Sequence, residues 1–131
     1  MQNIKYQMSS EVGRRGEEIT EQYLKKKGFK IIARNYKTSR WGEIDRIAID
    51  KDTLVFVEVR TKTSSDFMAP QETITTHKLQ SLKRAANYFE LENEDKELPK
   101  ALRIDFVGVT FDNKNKPVIE HFENITHGKI R

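Results

Sequence analysis

Val12, Ile19, Tyr23 and Leu24 recur at helical spacing, with the small Gly16 on the same side. Ser9 or Ser10 can cap this helix, and it runs to about Lys27. Lys25, Lys26 and Lys27 fill its last turn, where cations suit the helix dipole, and Gly28 is a natural stop. The period then changes. Phe29–Tyr36, Glu43–Asp50 and Leu54–Arg60 read as three strands, the last (LVFVEVR) strongly apolar and β-branched. Lys37–Gly42 is a polar loop, Lys51–Asp52 a turn, and Thr61–Thr76 a loop carrying Pro70. Leu79, Leu82, Ala86 and Phe89 return to helical spacing over His77–Leu91, with His77 marking the helix start. An acidic linker ends at Pro99. Leu102–Phe111 and Val118–Phe122 are two further strands, joined by a turn at Asp112–Lys116.

The order α-β-β-β-α-β-β gives an α/β fold, with a mixed sheet flanked by helices. The chain has 131 residues, which suits a single domain, residues 1–131, with residues 1–9 and 124–131 as flexible tails. There is no internal repeat or low-complexity tract.

Composition narrows the chemistry. The chain lacks cysteine, which removes disulfides, thiolate catalysis and zinc–sulfur sites. No apolar run approaches the length that spans a bilayer, and Met1–Ser10 has no signal-peptide core. A cytoplasmic protein without membrane partners is the expectation. The net charge is +4, and its distribution is uneven. Residues 1–62 hold 14 Lys/Arg against 9 Asp/Glu, whereas residues 63–131 hold 10 against 11. A basic first half suits a nucleic-acid backbone, or is simply a solvated surface.

The candidate chemistry lies in Gly42–Lys62, GEIDRIAIDKDTLVFVEVRTK. Two strands joined by so short a turn form an antiparallel hairpin. Its register sets Asp45 opposite Glu58 and Glu43 opposite Arg60. Alternation puts Glu43 and Asp45 on one face with Glu58 and Arg60. Facing carboxylates repel each other, and Glu58 interrupts an otherwise apolar strand. The arrangement makes sense if the acids share a hard divalent cation such as Mg²⁺, which prefers oxygen ligands and keeps several waters. The structural alternative is salt bridging of Asp45 and Glu58 to Arg46, Arg60 or Lys62.

Glu17 lies on the flank of the first helix, roughly 130° from the centre of its apolar face at about 100° per residue. It could reach over a sheet edge toward the hairpin, or be one of several solvated acids with Glu11, Glu18 and Glu21. Arg34, Arg40 and Trp41 sit near the start of the second strand. They could stack on an unpaired base or grip phosphates, or the tryptophan could pack over the first helix. Lys78, Lys83 and Arg84 could extend a basic track along the second helix. Asp105 shares a strand face with Val107, Val109 and Phe111; it could be a supporting acid near the sheet centre, and the expectation is that it bonds a neighbouring backbone group. His77, His121 and His127 show no ligand spacing.

The combined sequence GRRGEEITEQYLKKKGFKIIARNYKTSRWGEIDRIAIDKDTLVFVEVRTK, APQETITTHKLQSLKRAANYF and LRIDFVGVTF resembles the YraN family of bacterial proteins over roughly residues 11–123. That family is in turn similar to archaeal Holliday-junction resolvases and the wider PD-(D/E)xK nucleases. The resemblance implies an α-β-β-β-α-β restriction-endonuclease-like core with one extra C-terminal strand. It implies an endonuclease dependent on Mg²⁺ or Mn²⁺ that acts on structured or damaged DNA, with homodimerisation expected because resolvase-like relatives work in pairs. Asp45 and Glu58 match the two acidic ligands, Glu17 the helix glutamate, and Arg60 stands where the motif has lysine. Lys62, two residues on, could substitute. Arg14 and Arg15, in the GRRGE segment, join Arg34, Arg40, Trp41, Lys78 and Arg84 as expected nucleic-acid contacts. Arginine binds phosphate well but is a poor proton acceptor, because its pKa is above about 12. Two other readings follow: a non-catalytic nucleic-acid-binding protein of the same fold, or a protein-interaction scaffold.

Overall fold

A computed structural model of the chain describes residues 2–62 and 74–126, with side chains from Glu11 onward. The elements are α1 (Gln2–Lys26), β1 (Lys30–Lys37), β2 (Glu43–Asp50), β3 (Thr53–Lys62), α2 (Thr76–Glu92), β4 (Ala101–Phe111) and β5 (Pro117–Phe122). This is the expected order. α1 begins earlier than its sequence signals imply, so Ser9 and Ser10 lie inside the helix rather than at its start. Gly28 ends it with φ +97°, a conformation that suits glycine. β3 runs two residues past Arg60, so Thr61 and Lys62 belong to the strand and not to the loop. The loop with Pro70 lies outside the described residues, as does His127.

The strands form one mixed sheet in the order β1-β2-β3-β4-β5. All neighbours are antiparallel except β3 and β4, which are parallel. A parallel pair needs a long crossover, and α2 supplies it. Its cap is Thr75, two residues before His77: the Thr75 side chain accepts the Lys78 N–H at 3.0 Å.

The sheet has a core on each face, and β3 divides its side chains between them. Leu54 and Phe56 join Leu79, Leu82, Ala85, Ala86 and Phe89 of α2. Val55, Val57 and Val59 join Leu24 of α1, Phe29, and Val107 and Val109 of β4. Alternation along a strand buried on both faces accounts for the nearly continuous apolar run of β3. Gly16 lets α1 approach the end of β3. A Cβ placed there would lie 1.9 Å from Thr61 Oγ1 and 2.9 Å from Thr61 Cβ. The close approach sets Glu17 beside that end of the sheet.

At the far end of the chain, the Asn124 N–H donates to Asp105 and the Ile125 N–H to the Ile104 carbonyl. No helix among the described residues is long and apolar enough to cross a membrane.

Candidate active site

The site forms where β2 and β3 part. β2 stays paired with β1 out to Lys37–Glu43, and β3 stays paired with β4 out to Lys62–Thr110. The ladder between β2 and β3 follows the expected register but ends at Arg46–Val57, one pair short of Asp45–Glu58. Beyond it the two strands make a fork. Asp45 bridges the fork: its Oδ2 accepts the Val59 N–H at 2.8 Å, taking up a donor that the broken ladder leaves. The face alternation slips at this residue. Ile44 lies in the α2-side core, whereas Arg46 reaches α1.

Glu58, one residue before Val59, has only 5% of its side chain exposed. Arg60 Nη2 lies 3.2 Å from its Oε2, and Lys78 Nζ, coming from α2, lies 3.8 Å from the same atom. Glu17 Oε1 accepts from Asn35 Nδ2 at 2.9 Å and from Arg46 Nη1 at 3.1 Å. Glu43 Oε2 accepts from the same Asn35 nitrogen at 2.7 Å. Glu43 therefore turns to Asn35, and the expected facing of Glu43 and Arg60 gives way to Asn35–Glu43 and Arg60–Glu58.

These carboxylates feel one another. Burial, and then the charge of Glu58, push the Asp45 carboxyl up to about 8; the Val59 N–H opposes this, and Glu17 and Glu43 add to it. Glu58 is also raised, by burial first. Lys78 and Arg60 pull the other way, and Glu17 and Glu43 add to the rise. Among the described residues, no three His, Cys, Asp or Glu side chains converge as a ready metal cage. The donor chemistry fits a sparser site. Asp45 and Glu58 offer carboxylate oxygens that could hold such an ion, and Mg²⁺ commonly takes one or two carboxylates and keeps its waters. In such a site Glu17, already bonded to Asn35 and Arg46, would act through water.

The model of the family described as "Uncharacterised protein family UPF0102" matches residues 16–109. The chain belongs to the UPF0102 family. It is 42% identical to the UPF0102 protein of Carboxydothermus hydrogenoformans, over 88% of this chain and 94% of the relative. It is 39% identical to that of Syntrophomonas wolfei, over 89% and 98%. It is 41% identical to that of Thermotoga petrophila, over 86% and 94%. The resemblance to the YraN family is thereby borne out.

In this UPF0102 chain the other expected residues fall into separate groups. Lys62 lies two residues past Arg60 on β3. Lys78 was expected as a phosphate contact, and its ammonium faces Glu58. Trp41 packs against the α2-side core, not over α1, with the guanidinium of Arg84 at 4.7 Å and that of Arg40 at 5.4 Å from its ring. Arg15 lies 4.5 Å over the Phe111 ring, near the β4–β5 turn, and Arg14 is exposed. The five predicted arginines thus do not form one track.

Arg34 makes a two-pronged pair with Glu21, at 2.8 and 2.6 Å. Glu21 is not one of the solvated acids: it is buried and also accepts from Arg46 Nε at 2.8 Å, with Lys25 at 3.1 Å. Arg34, then Lys25 and Arg46, hold its carboxyl down at about 2 against the effect of burial. Asp105 does bond a backbone group, the Asn124 N–H, and also pairs with Arg103 and with His121 Nε2 at 2.8 Å. His121 is thus joined to Asp105 rather than to the fork.

The sequence reading took Glu21 for a solvated acid, named Arg46 only as a salt-bridge partner of Asp45 or Glu58, and gave Asn35 no role. Two signals could have found them. Glu21 lies one helical turn from Glu17, and Arg46 interrupts the apolar run of β2. Asn35 carried only the general rarity of asparagine in strands.

Proposed function

We propose that this chain is a PD-(D/E)xK-type endonuclease, dependent on Mg²⁺ or Mn²⁺, that cleaves structured or damaged DNA. The observation that carries the reading is the fork, where the buried Glu58 and the half-buried Asp45 lie close enough for the charge of Glu58 to raise the Asp45 carboxyl, beside Arg60 and Lys78. Burying like charges is unfavourable without a compensating ligand, and perturbed carboxylates cluster at functional sites. A divalent ion there would polarise a phosphoryl oxygen and lower the pKa of a bound water.

The chain's own residues would divide the remaining work. The Val59 N–H fixes one Asp45 oxygen, so the other is left for a ligand. Arg60 would grip the phosphate. Its side chain is 42% exposed, so the outer guanidinium nitrogens are the ones a phosphate would reach. Lys78 supplies an amine at Glu58, which offsets the loss of lysine at position 60. The basic first half of the chain favours a polyanionic substrate.

Branched, nicked and single-stranded DNA, each incubated with Mg²⁺ or Mn²⁺, test this reading. The wild type should cleave at least one substrate only when metal is present. Asp45→Asn should lower the rate by more than the roughly 10–100-fold that loss of an outer partner of a metal ligand costs. Cleavage at an unchanged rate by Asp45→Asn would reject the assignment. Arg60 favours a second reading, a DNA-binding protein without turnover, which would show salt-dependent DNA binding and no cleavage with either metal.

A further inference from the structure

Among the described residues, Asn35 is the one whose amide touches two acids of the fork, and it does so from an unusual backbone. β1 pairs Arg34 with Arg46 and Tyr36 with Ile44, so Asn35 lies across from Asp45. Its φ is +47°, in the left-handed region that breaks the extended path of a strand. Asparagine tolerates that region better than most residues. From there its Nδ2 donates to Glu17 of α1 at 2.9 Å and to Glu43 of β2 at 2.7 Å. An amide nitrogen carries two hydrogens, enough to serve both carboxylates.

The neighbouring turn of α1 gives the contrast. Glu21 is held by Arg34, Arg46 and Lys25, and three cations cancel its charge. Among the described residues, Glu17 keeps one cationic partner, Arg46 at 3.1 Å, and shares the neutral Asn35 amide with Glu43. A neutral donor fixes two carboxylates in position without cancelling their charge, so the pair carries more negative charge than the single Arg46 contact offsets.

Resting on the metal reading of the fork, we propose that Asn35 is a positioning residue. It clamps Glu17 and Glu43 so that their charge and their water-bonding oxygens face the cation bound by Asp45 and Glu58. It does not touch the metal. Outer partners of this kind typically tune metal affinity by about 10–100-fold.

The test is Mn²⁺ binding by calorimetry together with thermal melting, on wild type and Asn35→Gly. Glycine adopts the left-handed backbone readily, so the metal-free melting temperature should be kept or raised. Mn²⁺ affinity should fall about tenfold or more. In a Glu17→Gln/Glu43→Gln background the same substitution should have no further effect, because the clamp would have no charge to place. Equal Mn²⁺ affinity of wild type and Asn35→Gly overturns the clamp and leaves the metal site standing. Absence of Mn²⁺ binding to wild type overturns both. A structure of wild type soaked in Mn²⁺ gives a separate check: Asn35 should keep both carboxylates, and release of both would contradict its role.

Discussion

Glu17 and Glu21 lie one turn apart on α1, yet their surroundings are opposite. Glu21 sits among three cations that hold its carboxyl at about 2. Glu17 points toward the fork, where Asp45 is pushed up to about 8 and Glu58 is raised as well. The first region is a neutralised strut tying α1 to β1 and β2 through Arg34 and Arg46. In the second, burial and the neighbouring carboxylates outweigh the pull of Lys78 and Arg60 on Glu58. A protein that needed acids only for solubility or bracing would have no reason to build the second beside the first. On the proposed metal reading, the difference separates charge that braces the fold from charge placed for a cation.

The sharpest way to break this contrast is to disable the strut. Glu21→Gln leaves the Arg46 guanidinium, which is almost fully buried, without its main counter-charge. Breaking one side of such a pair costs about 3–5 kcal/mol, so chemical denaturation should show a loss of that order. The pH dependence follows from the sign of the shift. The folded carboxyl titrates near 2, below the unfolded value of about 4.3. Its stabilisation is therefore present above about pH 4.3 and is lost as pH falls through 2. Acid unfolding curves of wild type should steepen across that window, and those of Glu21→Gln should be flatter there.

A smaller effect tests how α1 is seated at the fork. Gly16→Ala forces a Cβ against Thr61 and should destabilise the protein by about 1–3 kcal/mol, the usual range for overpacking. Because Glu17 is the next residue, Mn²⁺ affinity should weaken in the same variant. Unchanged stability and affinity would show that α1 is not locked to β3 at this point.

The smallest effect has the opposite sign. In the metal-free protein, Asp45→Asn removes a half-buried carboxylate that the charge of Glu58 disfavours, while the amide oxygen can still accept the Val59 N–H. Thermal melting above about pH 8, where the folded Asp45 is ionised, should show a gain of about 1 kcal/mol. A loss of stability would mean that the Asp45 carboxylate is part of the fold's bracing, like Glu21.

Much of this fold was legible because the periods were clear. β2 has the bounds its alternation gave, and the hairpin register is the one its short turn imposed. The apolar faces of α1 and α2 named the two cores. What escaped was the point where regular geometry stops. Register arithmetic carries the ladder on to Asp45–Glu58, but the strands separate there, and Asp45 bonds the backbone of Val59 instead. Asn35 was invisible for the same reason: its role depends on a left-handed backbone that no periodicity reports. Glu21 was read as solvated because helix geometry gives a direction but not what lies in it. Arg34 and Arg46, distant in sequence, are what bury it.

The most direct measurement is a calorimetric titration of Mn²⁺ into the metal-free wild type and into Asp45→Asn/Glu58→Gln. Wild type should bind Mn²⁺ saturably, and the double variant should stay folded and lose that binding. Equal binding by the two proteins, or none by wild type, would contradict the claim that the fork holds a cation.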